Sequence, residues 1–337
     1  MRIYYYLSEY ISHKKAGIAY INCLKSLGHE IVQDANESDV IIIHEAPEFY
    51  SQIIESLKIN RNKPIIGYGV WETDRLPNAY INGLDFIDEI WTCSDFSLKA
   101  FSPYIKTKCL PHVVEKPKIS KDALETMTKR LNLGENDFAF YTIVDSINPR
   151  KNLKTLLAAF SVAFANDKNT KLVVKQYRNS IDLSSCPFVI DISEYLDDEY
   201  IAALSSICNA FVSAHHAEAW GLGLSEAMIL GKPVVATGYS GNMQFMNDKN
   251  SFPVSFTLSN IGEDMCNAMP NLYNKDMCWA DINISDLVKK LRYVRKFIPD
   301  LQFKINLAND MKNFSEKVIS KLIQKLFLSV EKLNQNS

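Results

Sequence analysis

No CxxC pair occurs in the 337 residues, and the seven cysteines are an odd number. A structural zinc site or a disulfide framework is therefore not expected. Most of the thiols stand in apolar surroundings, where reduced cysteine acts as a small core residue, and a reducing compartment is the expectation. No run reaches the roughly 18 apolar residues that a membrane span needs. The opening MRIYYYLSEYI has too short an apolar part for a signal peptide and no small-residue cleavage site, so it reads as a first buried strand. Neither sign of charge dominates: 37 Lys and Arg against 39 Asp and Glu leave a net charge of −2, which gives no support for nucleic-acid binding. The pair Asp197–Asp198 is not a DxD metal motif and reads as a helix start with acids that favour the helix dipole.

What is present is an ordinary globular composition, 47% hydrophobic and 23% charged, in a chain long enough for two domains. Apolar runs alternate with helix-period segments from end to end. RIYYYL, DVIIIHE, PIIGYGV and EIWTCS read as buried strands, and GIAYINCLKSLGHE as a helix closed by Gly28. The rhythm pauses at CLPHVVEKPKIS, where prolines and lysines suit an exposed connection. It restarts with a polar helix over Lys121–Leu131, the strand FAFYTIV, and the helix NLKTLLAAFSVAFA with Asn152 as its N-cap. Further short strands follow at KLVVK, FVI, AFVSA and PVVAT. The fold class expected is α/β, with two doubly wound halves and ligand binding in a cleft between them, at the carboxyl ends of the strands. The boundaries read as 1–117, 118–300 and a helical tail, 301–337. In that tail Leu307, Met311, Phe314, Val318, Leu322, Leu326, Val330 and Leu333 recur at three- or four-residue steps opposite a lysine-rich face. Two readings stand: a membrane-surface helix, or a helix packed on the body with a solvated face, of which the second is preferred.

The stretch HHAEAWGLGLSEAMILGKPVVATGYSGN carries the most chemistry. A strand ends near Ala214, and a helix runs through LSEAMIL to a stop at Gly231 and Pro233. Glu218 then lies in the strand-to-helix loop and Glu226 about a turn inside the helix. The glycines between them, Gly221 and Gly223, let the loop expose backbone N–H groups at a helix N-terminus, which is a phosphate site. Carboxylates beside such a site have hydroxyls as their natural partners. A phosphate cradle between two hydroxyl acceptors points to a sugar nucleotide. The other two-carboxylate reading, a glycosidase pair, needs a proton-donating acid and no phosphate cradle.

Glu218 and Glu226 form an E-x7-E pair, and its surroundings resemble the donor-site signature of family 4 retaining glycosyltransferases of GT-B fold. INPRKNLKTLLAAF resembles that family's strand-to-helix lysine motif, and LPHVVE its interdomain segment. AGIAYINCLKSLGHEI resembles its first glycine loop and helix. DEIWTCSDFSLKAF and WADINISDLVKKL resemble further segments, so the resemblance spans nearly the whole chain.

The resemblance implies a hexosyltransferase in which Glu218 contacts the transferred sugar, Glu226 holds the ribose and Lys151 neutralises the diphosphate. The family's arginine about five positions before the lysine is here Ser146, so Arg150 or Lys175 is the second cation. Gly221, Leu222 and Gly223 form the phosphate-side turn. Gly238, Gly241 and Asn242 form a second loop facing the first, and His215 stands behind the pair. Ala219 replaces a family glycine, which implies strain if the backbone there needs positive φ. Gly17 marks the first β–α loop on the donor side, and Tyr195 is placed near the nucleobase. Trp71, Glu72 and His44 are the acceptor-side candidates; Trp71 reads equally as an interdomain packing residue and His44 as a structural histidine. No convincing nucleophile is present below the anomeric carbon, which agrees with the family's front-face route. The expectation is a nucleoside-diphosphate-sugar donor, a glycan or glycolipid acceptor, no required metal and no other cofactor. The expected location is cytoplasmic, with peripheral contact at the inner face of the membrane as an extension. The alternative is a catalytically inactive GT-B protein that binds a nucleotide sugar or a partner.

Overall fold

The computed structural model describes the backbone of residues 1–334 and side chains through Leu328. The side chains of Val330 and Leu333 in the expected apolar stripe lie outside the described residues. Among the described residues two compact units emerge. The first comprises 1–114, 269–277 and the end of the chain from Lys312; the second comprises 115–268 and 278–311.

The first unit alternates β1 (Arg2–Leu7), α1 (Ile11–Ser26), β2 (Glu30–Val32), β3 (Val40–His44), α2 (Tyr50–Ser56), β4 (Ile65–Tyr68), α3 (Asn78–Leu84), β5 (Glu89–Thr92), α4 (Asp95–Phe101) and β6 (Thr107–Cys109). The six strands are parallel in the order β2-β1-β3-β4-β5-β6. All five residues of β3 and all four of β4 are buried, as expected of strands covered by helices on both faces. Gly17 does not stand in the β1–α1 loop. It lies in the second turn of α1, because the helix already begins at Ile11. A Cβ there would meet Leu7 Cδ1 at 2.2 Å and His44 Nδ1 at 2.9 Å. The missing side chain thus serves close packing of helix on sheet.

The second unit holds α5 (Lys121–Leu131), β7 (Phe138–Val144), α6 (Leu153–Ala163), β8 (Thr170–Gln176), β9 (Val189–Ile192), α7 (Asp198–Ile207), β10 (Ala210–Ser213), α8 (Leu222–Ile229), β11 (Val234–Thr237) and β12 (Phe252–Val254). After these come the hairpin strand β13 (Phe256–Asn260), α9 (Glu263–Ala268), its partner strand β14 (Cys278–Ile282), α10 (Ile284–Val294) and α11 (Leu301–Lys312). The main sheet is parallel in the order β12-β11-β10-β7-β8-β9. Its order reverses at β7, which pairs with β8 on one side and β10 on the other. Open α/β sheets bind ligands at the strand ends flanking such a switch point. Phe140, Leu156, Phe160, Leu172, Val235 and Leu291 form the centre of this unit's core. Asn152 does occupy the N-cap of α6, but with left-handed φ and ψ of 52° and 39°. Its side-chain amide donates to Ala214 O at 3.0 Å instead of capping the helix.

The last helix, α12 (Glu316–Asn334), belongs to the first unit. Among its described side chains Ile319, Ser320, Ile323 and Phe327 are buried, and Phe327 packs its ring on His29 and Trp91. The expected stripe through Val318, Leu322 and Leu326 is out of phase by one residue. The break between α11 and α12 resets the helical period after Phe314. The buried apolar residues of α12 face α1 and, through Phe327, Trp91 of β5.

Candidate functional site

The strand ends at the switch point of the second unit carry an ionic cluster. After β7 the chain turns through a short 3₁₀ segment, Pro149–Lys151, whose first N–H groups are ordered by Asn148: its side-chain oxygen accepts from Arg150 N–H at 3.1 Å. After β10 the partner loop brings in Glu218. Lys151 Nζ donates to Glu218 Oε1 at 2.5 Å, and Arg150 Nη1 donates to Glu218 Oε2 at 3.2 Å and to Ala217 O at 2.7 Å. The three side chains are only 16%, 13% and 12% exposed. Burial pushes the Glu218 carboxyl up, but the neighbouring charges of Lys151 and Arg150 outweigh it and hold the carboxyl at about 2. Glu218 is therefore an ionised, accept-only group at neutral pH and cannot serve as the proton-donating acid of a glycosidase pair.

A second loop locks the first. Gly241 N–H donates to Glu218 O at 2.7 Å, and Thr237 Oγ1 donates to His215 O at 2.6 Å. A Cβ on Gly241 would fall 1.7 Å from Ala219 O, so only glycine lets the loops meet. Ser240, whose hydroxyl accepts from Glu218 N–H at 2.8 Å, has left-handed φ. Ala219 is not among the positive-φ residues, so the strain expected there is absent. The left-handed positions of this region are Gly221 and Ser240.

His215 is fully buried, between Ser213 Oγ at 2.9 Å on Nδ1 and Asn242 Oδ1 at 3.2 Å on Nε2. Asn242 Nδ2 donates to Thr237 O at 3.0 Å, which turns its oxygen toward His215. That oxygen assigns the ring proton to Nε2. Burial lowers the imidazole to about 4, so it is neutral and structural. Asn242 is likewise fully buried, and its side chain ties the two loops together.

The loop then enters α8. Gly221 is the N-cap at φ 90° and ψ 68°, where a Cβ would meet Leu224 Cδ1 at 2.4 Å. Helix geometry leaves the N–H groups of Leu222 and Gly223 without intrahelical acceptors, and no acidic residue stands in the first turn. Trp220 Nε1 donates to Ser225 Oγ at 3.1 Å and fastens the loop to the helix. Glu226 lies one turn in, half-buried. An anion at this N-terminus would meet free amide donors, the positive helix end and the two nearby cations.

The other expected residues fall elsewhere. Lys175 is buried near the end of β8, its ammonium on the carbonyl of Gln176. Burial lowers its pKa, and its acidic neighbours are Glu194 and Asp191. Of the two candidates for second cation, Arg150 is the one that reaches Glu218. Tyr195 is 85% exposed in the β9–α7 connection. In the first unit Trp71 is a core residue. Its ring stacks on Tyr273 at 5.1 Å and meets the Tyr80 edge at 4.9 Å, and Nε1 donates to Thr73 Oγ1 and Arg75 O. Only 1% exposed, it has no ring face to offer an acceptor sugar, and its packing partners lie within its own unit. Glu72 accepts from Tyr273 Oη at 2.5 Å. His44 ends β3 fully buried, with Nδ1 on Tyr5 Oη at 2.9 Å and Nε2 without a partner. Burial, then the charges of His13 and His112, hold its pKa well below the usual value.

Two features were not foreseen. Tyr177, just past β8, is pushed up to about 12 by burial and by the charge of Glu218, which places its phenol in the field of the cluster. A hollow of about 330 Å3 opens beside the 3₁₀ turn, with Ser146, Asn148, Asn152, His216 and Trp279 in its wall. His216 stacks flat on Trp279 at 4.1 Å and is tied through Nδ1 to Ala280 O at 2.7 Å. Sequence spacing carries no signal for either, since Trp279 is 63 positions from His216. Among the described residues no group of His, Cys, Asp or Glu could hold a metal ion, and no helix is long and apolar enough to cross a membrane.

Residues 127–254 match the family model for glycosyl transferases group 1. No curated protein matches the chain. Among solved structures, the glycosyltransferase from Rickettsia africae is similar at a TM-score of 0.65 and 14% identity, covering 98% of each chain. The Anabaena protein HepE in complex with UDP and glucose is similar at 0.64 and 15%, covering 98% of this chain and 100% of that one. The pneumococcal O-GlcNAc transferase GtfA in complex with UDP and GlcNAc is similar at 0.60 and 13%, with 94% of this chain covered. The chain spans 60% of the length of GtfA. At these identities the likeness is one of fold, and the two parallel six-stranded sheets are those of the GT-B glycosyltransferases.

Proposed function

We propose that the chain is a retaining glycosyltransferase that moves a hexose from a nucleoside-diphosphate sugar to a hydroxyl of a glycan or glycolipid acceptor, without a metal. The observation that carries this reading is one carboxylate, Glu218, held between two cations beside the N-terminus of α8, whose first turn carries no acidic residue. A diphosphate brings more negative charge than a single carboxylate. It competes for Lys151 and Arg150, and the first-turn amides of α8 add donors for it. Glu218, released in part from its cations, then accepts hydrogen bonds from the hexose hydroxyls, and Glu226 from the ribose. In the transfer the bond from the anomeric carbon to the diphosphate oxygen breaks, and a bond from that carbon to the acceptor oxygen forms on the same face. The acceptor's proton passes to the departing diphosphate. Charge grows on that leaving group, so fixed cations stabilise the transition state more than the ground state. A role in surface glycan or glycolipid assembly in the cytoplasm, with contact at the inner membrane face, belongs to the same proposal.

Nucleotide release is the test, measured over a panel of nucleoside-diphosphate sugars with oligosaccharide and lipid-linked acceptors. Lys151→Ala is expected to lower kcat by about 100-fold or more, the scale of removing one transition-state donor. Glu226→Ala is expected to raise the donor KM with a smaller change in kcat. Near-normal turnover in Lys151→Ala overturns the leaving-group assignment. Saturable donor binding without any release would instead mark a binding-only protein.

A further inference from the structure

Ser240 has φ 75° and ψ −148°, a region essentially reserved for glycine because a Cβ crowds the backbone there. The chain places serine at this point, although Gly238 and Gly241 stand on either side. Glycine would relieve the backbone, so the hydroxyl must contribute something glycine lacks. That hydroxyl accepts from Glu218 N–H at 2.8 Å and donates to Tyr239 O at 2.6 Å. The next residue, Gly241, gives its N–H to Glu218 O at 2.7 Å. Two consecutive residues therefore hold both backbone polar groups of Glu218. Ser240 itself is 7% exposed, so the bond is shielded from solvent.

We propose that Ser240 is the positioning residue of the site: its hydroxyl fixes the Glu218 backbone so that the carboxylate meets Lys151 and Arg150, and the left-handed backbone is tolerated to bring the hydroxyl there. This rests on the reading of Glu218 as the sugar contact, and it assigns a residue that never touches substrate. The physical requirement is tight, because a carboxylate displaced by about 1 Å can cost on the order of 100-fold in rate.

Two variants separate hydroxyl from backbone. Ser240→Gly deletes the hydroxyl and relieves the φ; Ser240→Ala deletes the hydroxyl and keeps the crowding. Both are expected to lose kcat by about 10- to 100-fold, with donor KM changed by less than about 3-fold. Thermal stability is expected to diverge, with the glycine variant above the alanine variant, because both leave the Glu218 N–H without its acceptor and only glycine relieves the backbone. Activity then follows the hydroxyl while stability follows the backbone. A glycine variant with parental kcat, or losses of kcat that track Tm in both, overturns the proposal. A readout independent of turnover is the Glu218 carboxyl titration followed by carbon NMR in the unliganded protein. The carboxyl is expected to titrate at higher pH in both variants than in the parent, and an unmoved titration overturns the proposal. Should the parent release no nucleotide from any donor, the glycosyltransferase reading falls and the titration alone decides on Ser240.

Discussion

The ionic cluster should be readable as a pH-dependent stability, and Glu218→Gln is the perturbation that isolates it. Glutamine has nearly the shape of a protonated glutamate but cannot ionise. The Glu218 carboxyl sits at about 2 in the fold against an ordinary 4.5. At about 1.36 kcal/mol per tenfold change in the proton equilibrium, this makes the charged form worth roughly 3 kcal/mol to the folded state. The side chain is 12% exposed, so solvent screens little of that. A depressed carboxyl contributes its full stability above the unfolded value and loses it as pH falls through the folded value. The parent should therefore exceed Glu218→Gln by roughly 3 kcal/mol near neutrality, and the gap should shrink by about 1.4 kcal/mol per pH unit below 4.5, closing near pH 2. The two units need not unfold together. The assay is accordingly amide hydrogen exchange of the β10 and β11 strands in urea, at neutral pH and in steps below 4.5. Parallel pH profiles for parent and variant across that window would refute the cluster as drawn. So would a neutral-pH gap within the ±0.5 kcal/mol typical of an unremarkable surface change.

Two further outcomes follow from the packing. Gly241→Ala drives a Cβ onto Ala219 O, 1.7 Å away in the present backbone; it should destabilise the second unit by about 1–3 kcal/mol and abolish nucleotide binding by calorimetry, and a variant that binds normally would show the loops are not locked together. Trp71→Ala should cost about 3–5 kcal/mol in chemical denaturation while acceptor KM stays unchanged under folded conditions; a raised acceptor KM at parental stability would return Trp71 to the acceptor site.

How far the chain could be read depended on how local each determinant was. The buried strands announced themselves because β3 and β4 are covered on both faces and are apolar without interruption. The turn between Glu218 and Glu226 was legible because glycine marks the turns that only glycine permits, as Gly221 does at φ 90°. Trp71 could not be resolved. An aromatic after a strand looks the same in sequence whether it faces a sugar or Tyr273, some 200 positions away. The phase of the tail failed for a related reason, since the break after α11 is a tertiary accommodation that shifts the buried set to Ile319, Ile323 and Phe327. Ser240 was invisible because a serine in a glycine-rich loop does not disclose its φ.

The same distinction bears on how the site would act. Sequence could supply the charges of Arg150, Lys151 and Glu218, but only the fold makes the carboxylate their occupant. An unpaired couple of partly buried cations would be costly, and Glu218 offsets that cost in the unliganded protein. A diphosphate that takes over the cations must compensate for the pairing it disrupts. Discrimination therefore favours ligands that also offer hydroxyls to the displaced carboxylate, as a nucleoside-diphosphate sugar does and a bare diphosphate does not. With Glu218→Gln the competing carboxylate is gone, so free nucleoside diphosphate should bind more tightly while its sugar conjugate loses its margin over it. Calorimetry of both ligands on both proteins measures this directly. A margin unchanged by the substitution would mean that Glu218 neither competes with the diphosphate nor receives the sugar.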